Sequence, residues 1–294
     1  MNYRALGNTG LKVSELGLGT EHLYKQPKQT VISVIQKAIK HDFNYIDIVF
    51  NVSNYVQNIG AAIKGCRENV ILTCHLGSVE QDGKPRRTRN LKACEKAFLH
   101  TMSNLHTEYI DIVNIQFVKE NEFKAILKPG GLIDLALKLQ KEEKVRYISL
   151  STHDTSVGIK AIESGNFDMI MYPVNVVNDS MEGRRTLLEK CKKKNIGLVA
   201  IKPFAGGKLL QKNRTVNIAK YQTGGISLKT KIPPYVCPAK CINYILVQVG
   251  ISTTIPGVSN LEELNEILTF FTATDEEKDF SALVKAITTT KNSF

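Results

Sequence analysis

Six cysteines are the residues of this sequence best suited to metal binding or nucleophilic chemistry: Cys66, Cys74, Cys94, Cys191, Cys237 and Cys241. Cys237 and Cys241 are four residues apart at a predicted helix start, but one pair cannot complete a four-ligand metal site without distant partners. Cys94 falls on an apolar helical face and is predicted to lie in the core. The N-terminus, MNYRALGNTG, lacks the apolar region of a secretory signal. We therefore expect a cytoplasmic protein with free thiols and no metal site.

Basic residues are the second set, because Lys and Arg total 39 against 28 Asp and Glu, which gives a net charge of +11. The densest basic clusters are Lys84–Arg89 and Lys192–Lys194. No aromatic residue interleaves with either cluster, so nucleic acid bases would have no stacking platform. We expect solvated loops and helix ends, with an anionic cofactor or substrate as the alternative.

Short β-branched runs alternate with segments of helical periodicity along the whole chain. The predicted strands are Leu16–Gly19, Tyr45–Val49, Val70–His75, Ile110–Gln116, Tyr147–Ser151, Met169–Tyr172, Gly197–Lys202 and Thr253–Ile255. A helical segment follows each strand. Eight such units predict the α/β class, as one closed parallel (β/α)8 TIM barrel domain over residues 1–294. The first fifteen residues are predicted to form a β-hairpin that caps the bottom of the barrel.

The segment Phe204–Val236 is the longest without a clear element, and it carries the pairs Gly206-Gly207 and Gly224-Gly225. In a barrel it would lie at the carboxyl end of the strands, where active sites are built. Four polar, uncharged residues are expected at the same mouth: Asn51, Asn114, Tyr172 and Asn175. They favour a small oxygenated substrate over a lipid, and no apolar stretch approaches the roughly 20 residues of a membrane span.

Several motifs, in order and at matching distances, resemble those of the aldo-keto reductases. They are Arg4–Ser14 and Leu16–Thr20 for the N-terminal hairpin and first strand, Leu105–Ile112 for the fourth strand, Lys144–Ser151 for the fifth and Ile255–Gly257 for the eighth. Ser151–Asp154 and Pro238–Cys241 look most like the subgroup with a C-terminal iron-sulfur extension, and these 294 residues contain no cysteine run of that kind.

The resemblance implies carbonyl reduction, in which a Tyr protonates the oxygen, a Lys–Asp pair tunes that Tyr and a His orients the carbonyl. Position by position, the Asp is kept as Asp47, while Val52, His75 and Gln116 stand at the Tyr, Lys and His positions. Val52 cannot donate a proton, and Tyr55 could replace it only if the loop were rearranged. We therefore predict an Asp47–His75 acid–base pair, with Gln116 as a hydrogen-bonding partner for a carbonyl.

The resemblance also implies a nicotinamide cofactor, either NAD(H) or NADP(H). Ser151 matches the family Ser that holds the carboxamide, whereas Thr152 and Met171 replace the usual Asn and Gln. Glu263 stands where many members place an Arg on the 2′-phosphate, which favours NAD(H). The positions predicted to bind the cofactor are Ser151, Thr152, Lys202, Gly206, Gly207, Gly257, Ser259, Asn260 and Glu263.

Three functions remain open at this point. The first is a divergent oxidoreductase that acts on a small carbonyl or alcohol compound and uses Asp47 and His75. The second is a non-redox acid–base enzyme, a lyase or isomerase, on the same barrel. The third is a catalytically inactive binding or regulatory homologue. In each case we expect a monomer with no nucleic acid or membrane partner, and in the first two a small-molecule substrate.

Overall fold

Eight parallel strands form the predicted barrel in the computed structural model, which describes residues 1–211, 215–218, 228–231 and 236–292. The strands are β1 (Tyr3–Ala5), β2 (Lys12–Ser14), β3 (Leu18–Gly19), β4 (Tyr45–Ile48), β5 (Ile71–Leu76), β6 (Ser78–Gln81), β7 (Lys84–Arg87), β8 (Ile110–Ile115), β9 (Val145–Ser151), β10 (Met169–Pro173), β11 (Gly197–Ile201), β12 (Thr215–Ile218), β13 (Leu228–Lys231) and β14 (Thr253–Thr254). The barrel strands are β3, β4, β5, β8, β9, β10, β11 and β14, and they confirm the eight predicted strands.

Helices surround this sheet and confirm the alternation of strands and helices. They are α1 (Lys28–Lys40), α2 (Ser53–Ala62), α3 (Leu91–Leu105), α4 (Glu120–Leu127), α5 (Leu132–Lys141), α6 (Thr155–Ser164), α7 (Arg184–Lys194), α8 (Pro238–Leu246), α9 (Leu261–Leu268), α10 (Asp275–Lys278) and α11 (Ser281–Asn292). None of the helices in the described residues has the length and hydrophobicity that crossing a bilayer requires.

The first and last barrel strands meet and close the sheet. Leu16 forms a parallel bridge with Thr254, and Gly19 forms one with Gly257. The amide of Gly17 donates to the carbonyl of Thr254 at 2.9 Å. A Cβ atom at Gly17 would lie 2.8 Å from the carbonyl oxygen of Tyr45, so only glycine lets the strands approach this closely.

The N-terminal hairpin closes the bottom of the barrel, as predicted. β1 pairs with β2 in antiparallel register, with Arg4 opposite Val13. Leu6 and Val13 are fully buried and pack with the barrel interior, which includes Tyr45, Ile112 and Met169. Because this end is filled by apolar side chains, the opposite end, where the strands finish, is the one available for a site.

A second hairpin, β6–β7, follows β5 and was not predicted from the sequence. Its turn, Asp82-Gly83, has two positive φ angles, 52° and 68°. Asp-Gly in this conformation is the preferred two-residue connection between antiparallel strands. The hairpin contains most of the basic cluster Lys84–Arg89, whereas Lys192–Lys194 form the exposed last turn of α7, as expected.

The six cysteines are free thiols, as expected, and Cys94 is fully buried. Cys237 precedes the first residue of α8, and burial raises the pKa of the Cys241 thiol to about 12. Among the described residues, no group of three or more His, Cys, Asp or Glu side chains is arranged to hold a metal ion.

Candidate active site

A cavity of about 750 Å³ opens at the carboxyl ends of the barrel strands. This volume lies within the range of about 300–1,000 Å³ that is usual for small-molecule and cofactor sites. All eight barrel strands, or the loops that follow them, contribute to its wall. Among the wall residues are Asp47, His75, Gln116, Ser151, Met171, Ile201 and Gly257.

Asp47 and His75, which were predicted as an acid–base pair, are in contact. Nε2 of His75 lies 2.7 Å from Oδ1 of Asp47, and the two side chains are 2% and 8% exposed, respectively. Asp47 is the third residue of β4 and His75 the fifth of β5, neighbouring strands that pair in parallel. The register of these two strands therefore brings together two residues that are 28 apart in the chain.

Asn114 completes a row of three polar side chains. Its Nδ2 lies 3.2 Å from Nδ1 of His75 and 3.5 Å from Sδ of Met171. Asn114 is fully buried on β8 and is directly opposite His75 in the register between β5 and β8. It was predicted to line the mouth, but it lies behind the wall and contacts the dyad instead.

Gln116 occupies the wall beside the dyad. Its side-chain Nε2 donates to the carbonyl of Val49 at 3.0 Å, so the amide is held in one orientation. Its side-chain carbonyl makes no hydrogen bond within the described part of the chain. The next residue, Phe117, has a φ of +48°, and this turn sends the chain from β8 across the mouth.

Arg87, at the end of hairpin β6–β7, and Arg89, just after it, hold this turn in place. Arg89 donates to the carbonyl of Gln116 at 2.7 Å and to a carboxylate oxygen of Glu122 at 3.2 Å. Arg87 donates to the carbonyl of Phe117 at 3.0 Å and also pairs with Glu122. The expectation of a solvated cluster therefore holds for the exposed Lys84, but it is wrong for Arg89, which is half-buried.

Ser151 is the last residue of β9 and Thr152 follows it, but only Ser151 lies on the cavity wall. Ser151 lines the cavity, and its Oγ accepts the amide of Phe117 at 2.7 Å, which leaves the hydroxyl proton to donate. Thr152 is fully buried outside the wall. Its hydroxyl donates to the carbonyl of Val118 at 2.8 Å and accepts the amide of Asp154 at 3.0 Å. Thr152 thus holds the loop rather than facing the cavity.

His153 also lines the cavity and was not proposed as a site residue from the sequence. Its ring packs edge-on against Phe117, with centroids 4.6 Å apart. Burial, with a smaller contribution from the Lys202 ammonium, lowers the pKa of His153 to about 4. The imidazole is therefore neutral at physiological pH. Its place directly after Ser151-Thr152 at a strand end was the signal that could have identified it.

The loop after β11 contributes a lysine and two glycines to the cavity wall. Lys202, Gly206 and Gly207, three of the positions predicted to bind the cofactor, all line the cavity. The ammonium of Lys202 makes no ion pair with the described residues. Gly206 and Gly207 have φ values of +69° and +81°, which favour glycine, and a Cβ at either would meet no atom within 4 Å. Gly224 and Gly225 lie outside the described residues.

The loop after β14 ends in a capped helix. Asn260 precedes the first residue of α9, and its side chain accepts the amide of Glu263 at 2.9 Å. Glu263 in turn accepts the amide of Ser259 at 2.7 Å. Gly257, Ser259 and Glu263 lie on the wall, whereas Asn260 does not. Glu266, one turn further along the helix, is a second wall carboxylate, and the sequence interpretation did not include it.

The remaining candidates are placed away from the cavity. Val52 is buried in the core. The hydroxyl of Tyr55 is buried against Thr20, and burial raises its pKa well above the usual value. Asn51 donates to the carbonyls of His75 and Ser78 at 2.9 and 2.8 Å.

Two more of the polar residues predicted to line the mouth also point into the protein. Tyr172 contacts the hydroxyl of Thr155 at 2.9 Å, and Asn175 donates to the carbonyl of Lys202 at 3.0 Å. Asn51, Asn114, Tyr172 and Asn175 are therefore structural, and none contributes to the cavity wall.

Known proteins resemble this chain over most of its length. It is 25% identical to an uncharacterized oxidoreductase, YqkF, of Bacillus subtilis (strain 168), over 90% of each chain. It is 23% identical to L-galactose dehydrogenase of Arabidopsis thaliana, over 90% of this chain and 86% of that one. The holo form of aldo-keto reductase AKR11C1 from Bacillus halodurans superposes with a TM-score of 0.75 at 20% identity, covering 99% of this chain and 96% of the other.

The family of this chain is identified by a match to the family as a whole and not by any single relative. The sequence model of the aldo/keto reductase family matches residues 15–288, which span all eight barrel strands. The chain belongs to the aldo/keto reductase family.

Proposed function

We propose that this protein is a nicotinamide-dependent oxidoreductase that interconverts a small carbonyl compound and its alcohol. The observation that carries the proposal is the Asp47–His75 pair on the wall of a cavity built from all eight strand ends. Such a pair can take or give the proton that must accompany hydride transfer. Gln116, whose carbonyl is unengaged among the described residues, can hydrogen-bond a substrate hydroxyl.

The wall residues fit a nicotinamide dinucleotide, which would supply or accept the hydride. Ser151 has a hydroxyl proton left to donate to a carboxamide oxygen. Lys202 has an ammonium without an ion partner among the described residues, and Gly206 and Gly207 leave open space beside it. A cation and exposed backbone amides are the groups that hold a pyrophosphate.

Two carboxylates support NAD(H) as the cofactor. Glu263 and Glu266 both lie on the wall, one turn apart on α9. A 2′-phosphate close to either carboxylate would be repelled, whereas a free ribose hydroxyl could donate to one. We further propose that the protein acts as a monomer on a small-molecule substrate.

The first experiment is titration of the purified protein with NADH and, separately, with NADPH, followed by the fluorescence of the reduced nicotinamide. The chain has no tryptophan, so the cofactor's own emission is not masked by indole fluorescence. We expect a micromolar Kd for NADH and binding of NADPH at least about tenfold weaker, a difference of about 1.4 kcal/mol. Absence of binding up to millimolar concentrations of both would reject the proposal.

A non-redox acid–base enzyme is the second candidate, because the Asp47–His75 pair is complete without any cofactor and Val52 replaces the family's proton donor. Elimination, hydration or isomerisation needs only such a pair and an orienting group such as Gln116. Turnover that depends on Asp47 but is indifferent to added NADH or NAD⁺ would favour this candidate.

A further inference from the structure

We propose that the carboxylate of Asp47, through Oδ2, exchanges the substrate proton, and that His75 and Asn114 are positioning residues behind it. This inference rests on the proposed function and assigns the proton to one atom of the predicted pair. Hydrogen bonds join the three side chains in the row Asn114–His75–Asp47.

His75 has no ring nitrogen left for a substrate. Nε2 is 2.7 Å from Asp47 Oδ1, and Nδ1 is 3.2 Å from Asn114 Nδ2. Asp47 is different, because only one of its oxygens is occupied by His75. Oδ2 makes no hydrogen bond within the described part of the chain, and the Asp47 side chain is the more exposed of the pair, 8% against 2%. The atom available at the cavity wall is therefore a carboxylate oxygen.

Asn114 determines which nitrogen of His75 carries the proton. Its Nδ2 lies near two atoms, Nδ1 of His75 and the thioether sulfur of Met171. The sulfur can only accept, so the amide group turns its N–H protons, and not its oxygen, toward this pair of atoms. Nδ1 must then accept, and the proton of the neutral ring stays on Nε2, where it donates to Asp47.

This arrangement disfavours an imidazolium at position 75. A proton on Nδ1 would face the N–H group of Asn114 and would lack an acceptor. Rotating the amide would remove that conflict and would turn Oδ1, which has no hydrogen-bond partner in the described part of the chain, toward Nδ1, but it would also place this oxygen against the Met171 sulfur. A proton taken from the substrate therefore stays on Asp47. When that proton leaves, the hydrogen bond donated by His75 Nε2–H stabilises the Asp47 carboxylate.

The proton step in the oxidation of an alcohol follows directly. The O–H bond of the substrate breaks, its proton forms an O–H bond with Asp47 Oδ2, and the electron pair left on the substrate oxygen forms the carbonyl. A bound oxidised nicotinamide would accept the hydride that the substrate carbon loses in the same oxidation. Reduction is the reverse, with the Asp47 carboxylic acid as the proton donor.

The tautomer of His75 can be measured without cofactor or substrate. Protein labelled with nitrogen-15 in its histidine rings is examined by NMR, and a His75→Gln variant identifies the signals of position 75. We expect a protonated Nε2 and an unprotonated Nδ1 near neutral pH. In Asn114→Asp, whose carboxylate would face Nδ1, we expect a proton on Nδ1 as well. A protonated Nδ1 in the unaltered protein would overturn the inference.

Kinetics test the assignment of the proton to Asp47. Asp47→Asn keeps the shape but removes the proton-exchanging oxygen, so kcat should fall by about 10²- to 10⁴-fold with an unchanged Kd for NADH. His75→Gln keeps a donor toward Oδ1 and should lose only about tenfold. Asp42→Asn, an exposed site, is the matched control and should be unaffected.

The two proposals fail in different ways. If the unaltered protein binds neither dinucleotide, the proposed function fails, and the NMR measurement still tests the role of Asn114. If cofactor binds and turns over but Asp47→Asn keeps kcat within about threefold, the assignment to Asp47 fails and the proposed function stands. A larger loss in His75→Gln than in Asp47→Asn would transfer the proton to His75.

Discussion

The cavity has two walls that are built in different ways. The inner wall, Asp47 and His75 with Asn114 behind them, consists of buried side chains on three neighbouring strands, joined by hydrogen bonds. The outer wall, Lys202, Glu263 and Glu266, consists of exposed charged side chains on loops and on helix α9. Low exposure makes each polar contact of the inner wall energetically important, while solvent screens the outer wall. The inner wall is therefore suited to chemistry, and the outer wall to selecting a charged ligand.

Removal of His75 should show the largest effect, because it leaves the Asp47 carboxylate buried without a partner. We expect His75→Ala to lower the free energy of unfolding by about 3 kcal/mol. The double variant Asp47→Asn/His75→Ala should recover about half of this loss, since no charge is then buried. The measurement is chemical denaturation, with the exposed His41→Ala as the control. A loss below about 1 kcal/mol would show that the inner wall is more hydrated than its burial indicates.

His153, which also lines the cavity, gives the second effect, a dependence of stability on pH. Its pKa is about 4 in the folded protein, below the usual 6.5, so the unfolded chain binds the proton first as pH falls. The free energy of unfolding should therefore decrease from pH 6.5 toward 4 and level off below, by up to about 1 kcal/mol per pH unit.

The variant His153→Gln isolates this contribution. Denaturation midpoints of both proteins are compared across the same pH range, and the difference between them removes the contribution of the carboxylates. If the difference between the two denaturation midpoints stayed constant between pH 6.5 and 4, His153 would be protonated as easily in the folded as in the unfolded state.

Removing the Tyr55 hydroxyl should have a smaller effect, which lowers stability without changing turnover. The Thr20 hydroxyl donates to the Asp47 carbonyl at 2.6 Å, so the Tyr55 hydroxyl must donate its proton to Thr20. Tyr55→Phe should cost about 1 kcal/mol of unfolding free energy for the lost hydrogen bond and leave turnover unchanged. A loss of turnover of more than about tenfold would identify Tyr55 as the missing phenol.

The smallest effect on folding is expected at the outer wall. Glu263→Gln keeps an acceptor for the Ser259 amide, so the free energy of unfolding should change by less than about 0.5 kcal/mol. The Kd for NADPH should fall by about three- to tenfold while that for NADH changes little. Glu266→Gln should act in the same direction, and high salt should reduce both effects. An unchanged ratio of the two Kd values would place the 2′ position of the ribose elsewhere.

Much of the fold was predictable because its signals are local. The β-branched runs and the helical periodicity predicted all eight barrel strands, and the family motifs predicted Asp47, His75 and Gln116 on the cavity wall. The hairpin β6–β7 was missed although the Asp82-Gly83 turn was present, because β7 consists of three basic residues and Pro85, and the hairpin lacks the hydrophobic alternation of half-buried strands.

The site itself was predictable only in part, because strand register decides which polar side chains meet. Asn51, Asn114, Tyr172 and Asn175 have similar chemistry in the sequence, yet Asn114 contacts His75 whereas Tyr172 contacts Thr155 on α6. Glu266 carries no local signal that separates it from surface residues, and the position of His153 after a strand end does not show which way its ring faces. Whether they face solvent or a cavity depends on loops that are distant in sequence.

The sequence by itself determined the barrel and its cap, which follow from periodicity, and it predicted from position within motifs which residues stand at the family's catalytic positions. The tertiary structure alone decided that both nitrogens of His75 are occupied, that Thr152 is buried and that Glu266 joins Glu263 on the wall. The physical reason is that hydrogen bonding and burial depend on atoms brought together from separate strands. Residues such as Asp47 and Asn114, 67 positions apart in the sequence, meet around one imidazole only when the sheet has closed.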